Sequence, residues 1–158
     1  MLSIRPATLE DVPALIELIR ELADFEGLPT TVTSTSLIRD GFRDHPKFRA
    51  LFAEWEGAPV GYAFFFPFYS TFAGRAGIYL EDVYVRPEFR GRGIGRAFFS
   101  EIAHLARREG CFAVRWQVLD WNRPAIEFYN KLGASFLDDW KTVELNEKAL
   151  NAVAEGQY

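Results

Sequence analysis

An apolar run at residues 78–85 leads through Arg86-Pro87 into Arg90-Gly91-Arg92-Gly93-Ile94-Gly95, and a segment with apolar residues at helical spacing follows at once. This junction constrains the fold more than any other stretch. It dictates a strand, a glycine-rich turn and a helix in immediate succession, which is a signature of α/β chains. Three glycines within five positions let the backbone approach a ligand with no Cβ in the way. A helix opening at such a turn aims unpaired N–H groups at whatever sits there. Arg90, Arg92 and Arg96 add positive charge around the same point. The turn is therefore built to hold a polyanion, with a phosphate or pyrophosphate the best fit.

Spacing narrows the choice. A Walker loop requires a Lys after its last glycine, and none stands here. A dinucleotide fingerprint requires G-x-G-x-x-G, and this turn reads G-x-G-x-G. The pattern that remains is R-x-x-G-x-G, carried by Arg90, Gly93 and Gly95.

Periodicity assigns the rest of the chain. Residues 2–6 read as a strand, and Thr8-Leu9-Glu10-Asp11 as the capped start of a helix carrying Val12, Leu15, Ile16, Ile19 and Leu22 on one side. Gly27 and Pro29 stop it. A short helix is expected over 35–42, then a hairpin of strands 48–55 and 60–66, a polar loop at 70–76, and the strand at 78–85. After the turn come a helix over 94–109, a strand over 112–119, a helix capped by Asn122 and closed at Gly133, a last strand over 136–145 and a short helix from Glu147. The order β-α-α-β-β-β-α-β-α-β implies a mixed α/β sheet. At 158 residues, one domain with a sizeable core accommodates it.

Composition removes several function classes. A net charge of −4 argues against a nucleic-acid partner and suits a cationic substrate. The single cysteine, Cys111, rules out an intrachain disulfide. No apolar stretch is long enough to span a membrane, and residues 1–6 lack the apolar core of a signal peptide, so the cytoplasm is the expected location. Phe64, Phe65, Phe66, Phe68 and Tyr69 are expected mostly in the core, the remainder lining a channel.

The R-x-x-G-x-G turn resembles the acyl-CoA pyrophosphate loop of the GNAT N-acetyltransferase superfamily. Other segments narrow the likeness: Arg5-Pro6-Ala7-Thr8 with Asp11, Glu26, Asp40-Gly41-Phe42, Tyr79-Leu80-Glu81-Asp82, Trp121-Asn122 with Pro124-Ala125-Ile126, and Phe128-Tyr129 with Gly133-Ala134-Ser135. Together they resemble the diamine (spermidine/spermine) N-acetyltransferase family over nearly the whole chain. The resemblance implies a GNAT fold over 1–158 as a single N-acetyltransferase domain, its sheet mostly antiparallel with a splayed central strand. It also implies direct transfer of an acetyl group from acetyl-CoA to a primary amine of a small diamine, polyamine or lysine-like substrate, without a metal.

The family's roles carry over residue by residue. Tyr129 aligns with the general acid; a phenol of pKa near ~10 stays protonated at neutral pH and can donate to a thiolate whose thiol titrates near ~8.5. Glu81 aligns with the group that strips the amine proton, usually through water. Asp82 is adjacent, and since neighbouring strand residues face opposite sides, both carboxylates can serve one cleft only if the strand bulges. For acetyl-CoA the resemblance implies backbone contacts from Val83, Tyr84 and Val85, and pyrophosphate contacts from Arg90, Gly91, Arg92, Gly93, Ile94, Gly95 and Arg96. It adds Asn122, Ala125, Tyr129 and Lys131. On the amine side it implies Phe25, Glu26, Glu81, Asp82, Trp116, Gln117 and Asp138. Phe25 stands where a hydroxylated aromatic is more usual, which leaves the preferred amine open. The family also implies a homodimer. Two other readings fit parts of the pattern: a protein-lysine acetyltransferase, and a non-catalytic acyl-CoA-binding module.

Overall fold

The aromatic-rich stretch around residues 60–66 becomes the longest strand of a five-stranded sheet in a computed structural model that describes residues 1–157. The first of two compact units, Met1–Gln117, holds the whole sheet. Its elements are β1 (Leu2–Pro6), α1 (Val12–Glu26), α2 (Ser34–Gly41), β2 (Arg49–Trp55), β3 (Ala58–Ser70), β4 (Arg75–Val85), α3 (Ile94–Arg108) and β5 (Val114–Arg115). The strands lie in chain order, the first four antiparallel to their neighbours and β5 parallel to β4. The second unit, from Val118 onward, contains α4 (Arg123–Lys131) and α5 (Glu147–Ala154).

Period-2 alternation sends the strand side chains to two apolar layers. One layer joins Ile94, Phe98, Ile102 and Ala106 of α3 to Ala53, Val60, Ala63, Phe65, Ile78 and Leu80. The other joins Val12, Leu15, Ile16 and Leu18 of α1 and Leu37 of α2 to Phe48, Phe52, Tyr62 and Tyr84. Each fully buried side chain of this size contributes roughly 1.5–3 kcal/mol, so the sheet is clamped from both faces. Arg5 links β1 to the start of α1: its guanidinium donates to both Asp11 oxygens, at 2.7 and 2.9 Å, and to Glu54. Asp11 also accepts from the Thr8 N–H at 2.7 Å, which is the acidic half of the expected cap.

Two sequence expectations fail. The strand expected over 112–119 shrinks to Val114–Arg115. No strand forms over 136–145. There Trp140 N–H donates to Leu137 O at 3.1 Å, closing a turn over Asp138-Asp139. Aspartates favour turns, and an apolar–polar run becomes a strand only where a neighbour supplies a ladder. The strands β3 and β4, by contrast, extend beyond their expected ends and shorten the loop between them to residues 71–74.

Candidate active site

β4 carries the two expected carboxylates, Glu81 and Asp82, and its pairing with β3 is irregular. Along β3, Phe64 pairs with Asp82 and Phe65 pairs with Leu80, so Glu81 is an extra residue. Counting from one end, Tyr79 faces the α1 layer, where its ring stacks on Phe66 at 5.2 Å. Counting from the other, Tyr84 lies in the same layer. The inserted residue therefore brings Glu81 and Asp82 to one face, the condition that both carboxylates share a cleft.

The electrostatics agree. Asp82 is raised to about 6 by burial, and the charges of Glu81 and Glu26 push it the same way. A hydrogen bond from Tyr62 OH to Asp82 Oδ2, 3.0 Å long, opposes the shift. Glu26, the last residue of α1, is also raised by burial. Glu81 remains exposed. Three carboxylates thus converge where α1 ends over the β4 bulge, two of them short of their preferred ionisation. Such a cluster favours a bound cation. Among the described residues no group of three or more His, Cys, Asp or Glu is arranged to hold a metal.

The second feature is an open strand edge. β5 pairs with β4 only at Ile78 and Tyr79. Arg86 N–H donates to Val60 O at 2.9 Å, so by alternation Val83 and Val85 direct their backbone groups to the edge that β5 has left. Tyr84 turns its backbone towards β3; its carbonyl lies 2.4 Å from where a Cβ on Gly61 would stand. Of the three residues expected to offer backbone groups, Val83 and Val85 occupy the free edge and Tyr84 does not. The Tyr84 side chain instead donates to Glu21 at 3.1 Å, and Arg86 holds the same Glu21 at 2.8 Å.

The glycine turn follows. Gly91 and Gly93 have φ of 74° and 83°, in the left-handed region, and nothing lies within 4 Å of the position of a Cβ on either. The first intrahelical bond runs from Ala97 N–H to Gly93 O at 2.9 Å, so the N–H groups of Ile94, Gly95 and Arg96 lead the helix. Arg90, expected at the pyrophosphate, is engaged with the protein itself. Its Nε donates to Val85 O at 2.9 Å and its guanidinium lies over the rings of Phe25 and Tyr84. Arg90 therefore braces the turn against β4 and α1. Arg92 lies over Trp55 and Phe89, both 5.2 Å away.

The remaining expected residues are placed as follows. Trp116 belongs to the apolar layer under α3, its ring against Phe99 at 5.0 Å, and Gln117 is exposed beyond β5. In the second unit, Asn122 caps α4 by accepting from Ala125 N–H at 3.4 Å. Tyr129 and Lys131 lie in the last turns of that helix, and Asp138 lies in the exposed turn after it. Sequence reasoning missed Tyr62; a tyrosine within a strand of aromatics carried no signal of a carboxylate partner.

The sequence model of the Acetyltransferase (GNAT) family matches residues 13–134. The thialysine N-epsilon-acetyltransferase of Sus scrofa is 39% identical, over 96% of this chain and 96% of its own. The spermidine/spermine N(1)-acetyltransferase-like protein 1 of Homo sapiens is 32% identical over 93% of this chain and 23% of its own. Among solved structures, an integron cassette protein from the mobile metagenome of V. cholerae superimposes with a TM-score of 0.83 at 20% identity, covering 98% of both chains, a likeness of fold.

Proposed function

The chain belongs to the GNAT acetyltransferase family, and from that premise we propose that it acetylates a primary amine of a small cationic substrate, lysine-like or polyamine, with acetyl-CoA as donor. The meeting of Glu26, Glu81 and Asp82 at the β4 bulge carries the choice of acceptor. An ammonium entering there offsets the burial that keeps Asp82 and Glu26 hard to ionise, and with it the repulsion that Asp82 feels from the two glutamates. The printed names of the relatives, thialysine and spermidine/spermine-like acetyltransferases, support the same class of amine.

The residues present fit acetyl-CoA. The open space over Gly91 and Gly93 and the leading N–H groups of α3 suit a pyrophosphate. The backbone of Val83 and the N–H of Val85, on the edge that β5 has left, suit an extended amide-bearing arm lying as an added strand. When bound, acetyl-CoA supplies an activated thioester. In this reading Gly91, Arg92, Gly93, Ile94, Gly95 and Arg96 hold the diphosphate, with Asn122, Ala125 and Lys131 assigned to the donor by family resemblance. Glu26 and Asp82 hold the cationic acceptor. Glu81, exposed to water, takes the ammonium proton, because an amine of pKa near ~10 is mostly charged at pH 7 and cannot attack until neutral. Tyr129, by family resemblance, gives its proton to the departing thiolate.

The test is to mix protein, acetyl-CoA and a panel of thialysine, lysine, putrescine and spermidine while following free thiol. Acetylation of at least one amine is expected; silence across the panel overturns the reading. We further propose, from the family resemblance, that both units work as one catalytic domain, that the protein is a cytoplasmic homodimer, and that sedimentation will show twice the mass of the chain. Among the described residues no helix is long and apolar enough to cross a membrane.

A further inference from the structure

Tyr62 bears a hydroxyl where its neighbours in the α1 layer, Phe64 and Phe66, bear none. It is 0% exposed, and its ring lies 6.4 Å from that of Tyr84. Phenylalanine would fill nearly the same space. A buried hydroxyl is unfavourable unless it is hydrogen-bonded, and the partner of this one is Asp82, through Oδ2 at 3.0 Å. That bond is the only one the Asp82 side chain makes to the described residues; its other oxygen, Oδ1, makes none. The carboxylate is thus tied to the core by one oxygen, with the second available.

We propose that Tyr62 is a positioning residue for the amine acceptor: its buried hydroxyl pins one oxygen of Asp82 so that the other faces the bulge, where the ammonium docks beside Glu26 and Glu81. This rests on the acceptor reading above. The groups around Asp82 are Glu26 at the end of α1, Glu81 and Tyr84 on β4, and Tyr62 on β3. The two glutamates favour the protonated form of Asp82, and Tyr62 alone among these donates a hydrogen bond to the ionised form. Without the Tyr62 hydroxyl, Asp82 is free to rotate and takes up a proton more readily.

The experiment is Tyr62→Phe, assayed with acetyl-CoA and the amine panel across pH. The expected result is a rise in amine KM of about tenfold to a hundredfold, the range for loss of a hydrogen bond to a charged group. The KM for acetyl-CoA should hold within about twofold of wild type, far short of that loss. The acidic limb of kcat/KM should move to higher pH. In an Asp82→Asn background Tyr62→Phe should add nothing. An unchanged amine KM, an equal loss on acetyl-CoA, or full additivity with Asp82→Asn overturns the proposal. If Tyr62→Phe does not fold, Asp82→Glu keeps the charge but moves it by one methylene off the tyrosine, and an amine KM unaltered there overturns it equally. A wild type that acetylates none of the amines sinks the acceptor reading separately. Carboxyl NMR of Asp82 then judges the anchor, since a titration unmoved by Tyr62→Phe refutes it.

Discussion

Burial raises the Asp82 carboxyl to about 6, against roughly 4 in an unfolded chain. Between those values the native protein holds a proton that the unfolded chain has released. Stability contributed by Asp82 is therefore present below about pH 4 and is lost as the pH rises through about 6. The shift of roughly two units corresponds to about 3 kcal/mol. Asp11 works in the opposite sense: Arg5 lowers it to about 2, so its contribution is present above about pH 4 and disappears towards pH 2. Urea unfolding of wild type and Asp82→Asn at stepped pH separates the two, because both proteins retain Asp11. The variant should gain on wild type by about 2–3 kcal/mol between pH 4 and 7; parallel curves would mean that Asp82 is ionised as easily as in water. At the same scale, Tyr129→Phe should lower turnover by about 10²–10⁴-fold, the usual loss for a general acid. Near-normal rates would take Tyr129 out of the mechanism.

Helices and most strands of this chain are legible in its residues because their determinants are local. Thr33 caps α2 by accepting from Ser36 N–H at 3.1 Å, and Gly27 closes α1 in the left-handed region, both as side-chain and backbone chemistry dictate. The β4 bulge is not local: it exists only in register with β3, so the sequence can pose the question of Glu81 and Asp82 but cannot answer it. The same holds for Arg90, whose pairing with Val85 O and Phe25 joins three elements, and for Tyr62, whose partner lies twenty positions away. The strand expected over 136–145 does not form, because no neighbour supplies a ladder there. Gly61 illustrates how tightly the β3–β4 register is set. A Cβ there would meet Tyr84 O at 2.4 Å and the Phe98 ring at 3.4 Å, and backbone cannot swing aside as a side-chain tip can. Gly61→Ala should cost about 1–3 kcal/mol in urea unfolding and should weaken CoA binding in calorimetry, since the displaced strand carries Val83 and Val85. A variant with unchanged stability would show that β4 has slack at that point.

Across the first unit, charge of the two signs is segregated. The chain holds 18 Lys and Arg against 22 Asp and Glu, yet Arg92 and Arg96 flank the glycine turn while Glu26, Glu81 and Asp82 gather at the bulge. β4 links the two, with the bulge in its second half and the turn just beyond its end. In the proposed reading an anionic donor and a cationic acceptor therefore load side by side without competing for the same charges, each offsetting the like charges of its own site. Steering of this kind depends on ionic strength. If the acidic cluster selects its acceptor by charge, kcat/KM for a diamine should fall several-fold between about 50 and about 500 mM salt, because the Debye length shrinks from roughly 14 to roughly 4 Å. A monoamine carrying one charge fewer should lose roughly half as much on a logarithmic scale, since the attraction scales with the product of charges. Initial rates for matched diamine and monoamine pairs at fixed pH measure both slopes. Equal slopes would mean that acceptor choice comes from shape and from apolar contact along the α1 layer, with the carboxylates serving only the proton.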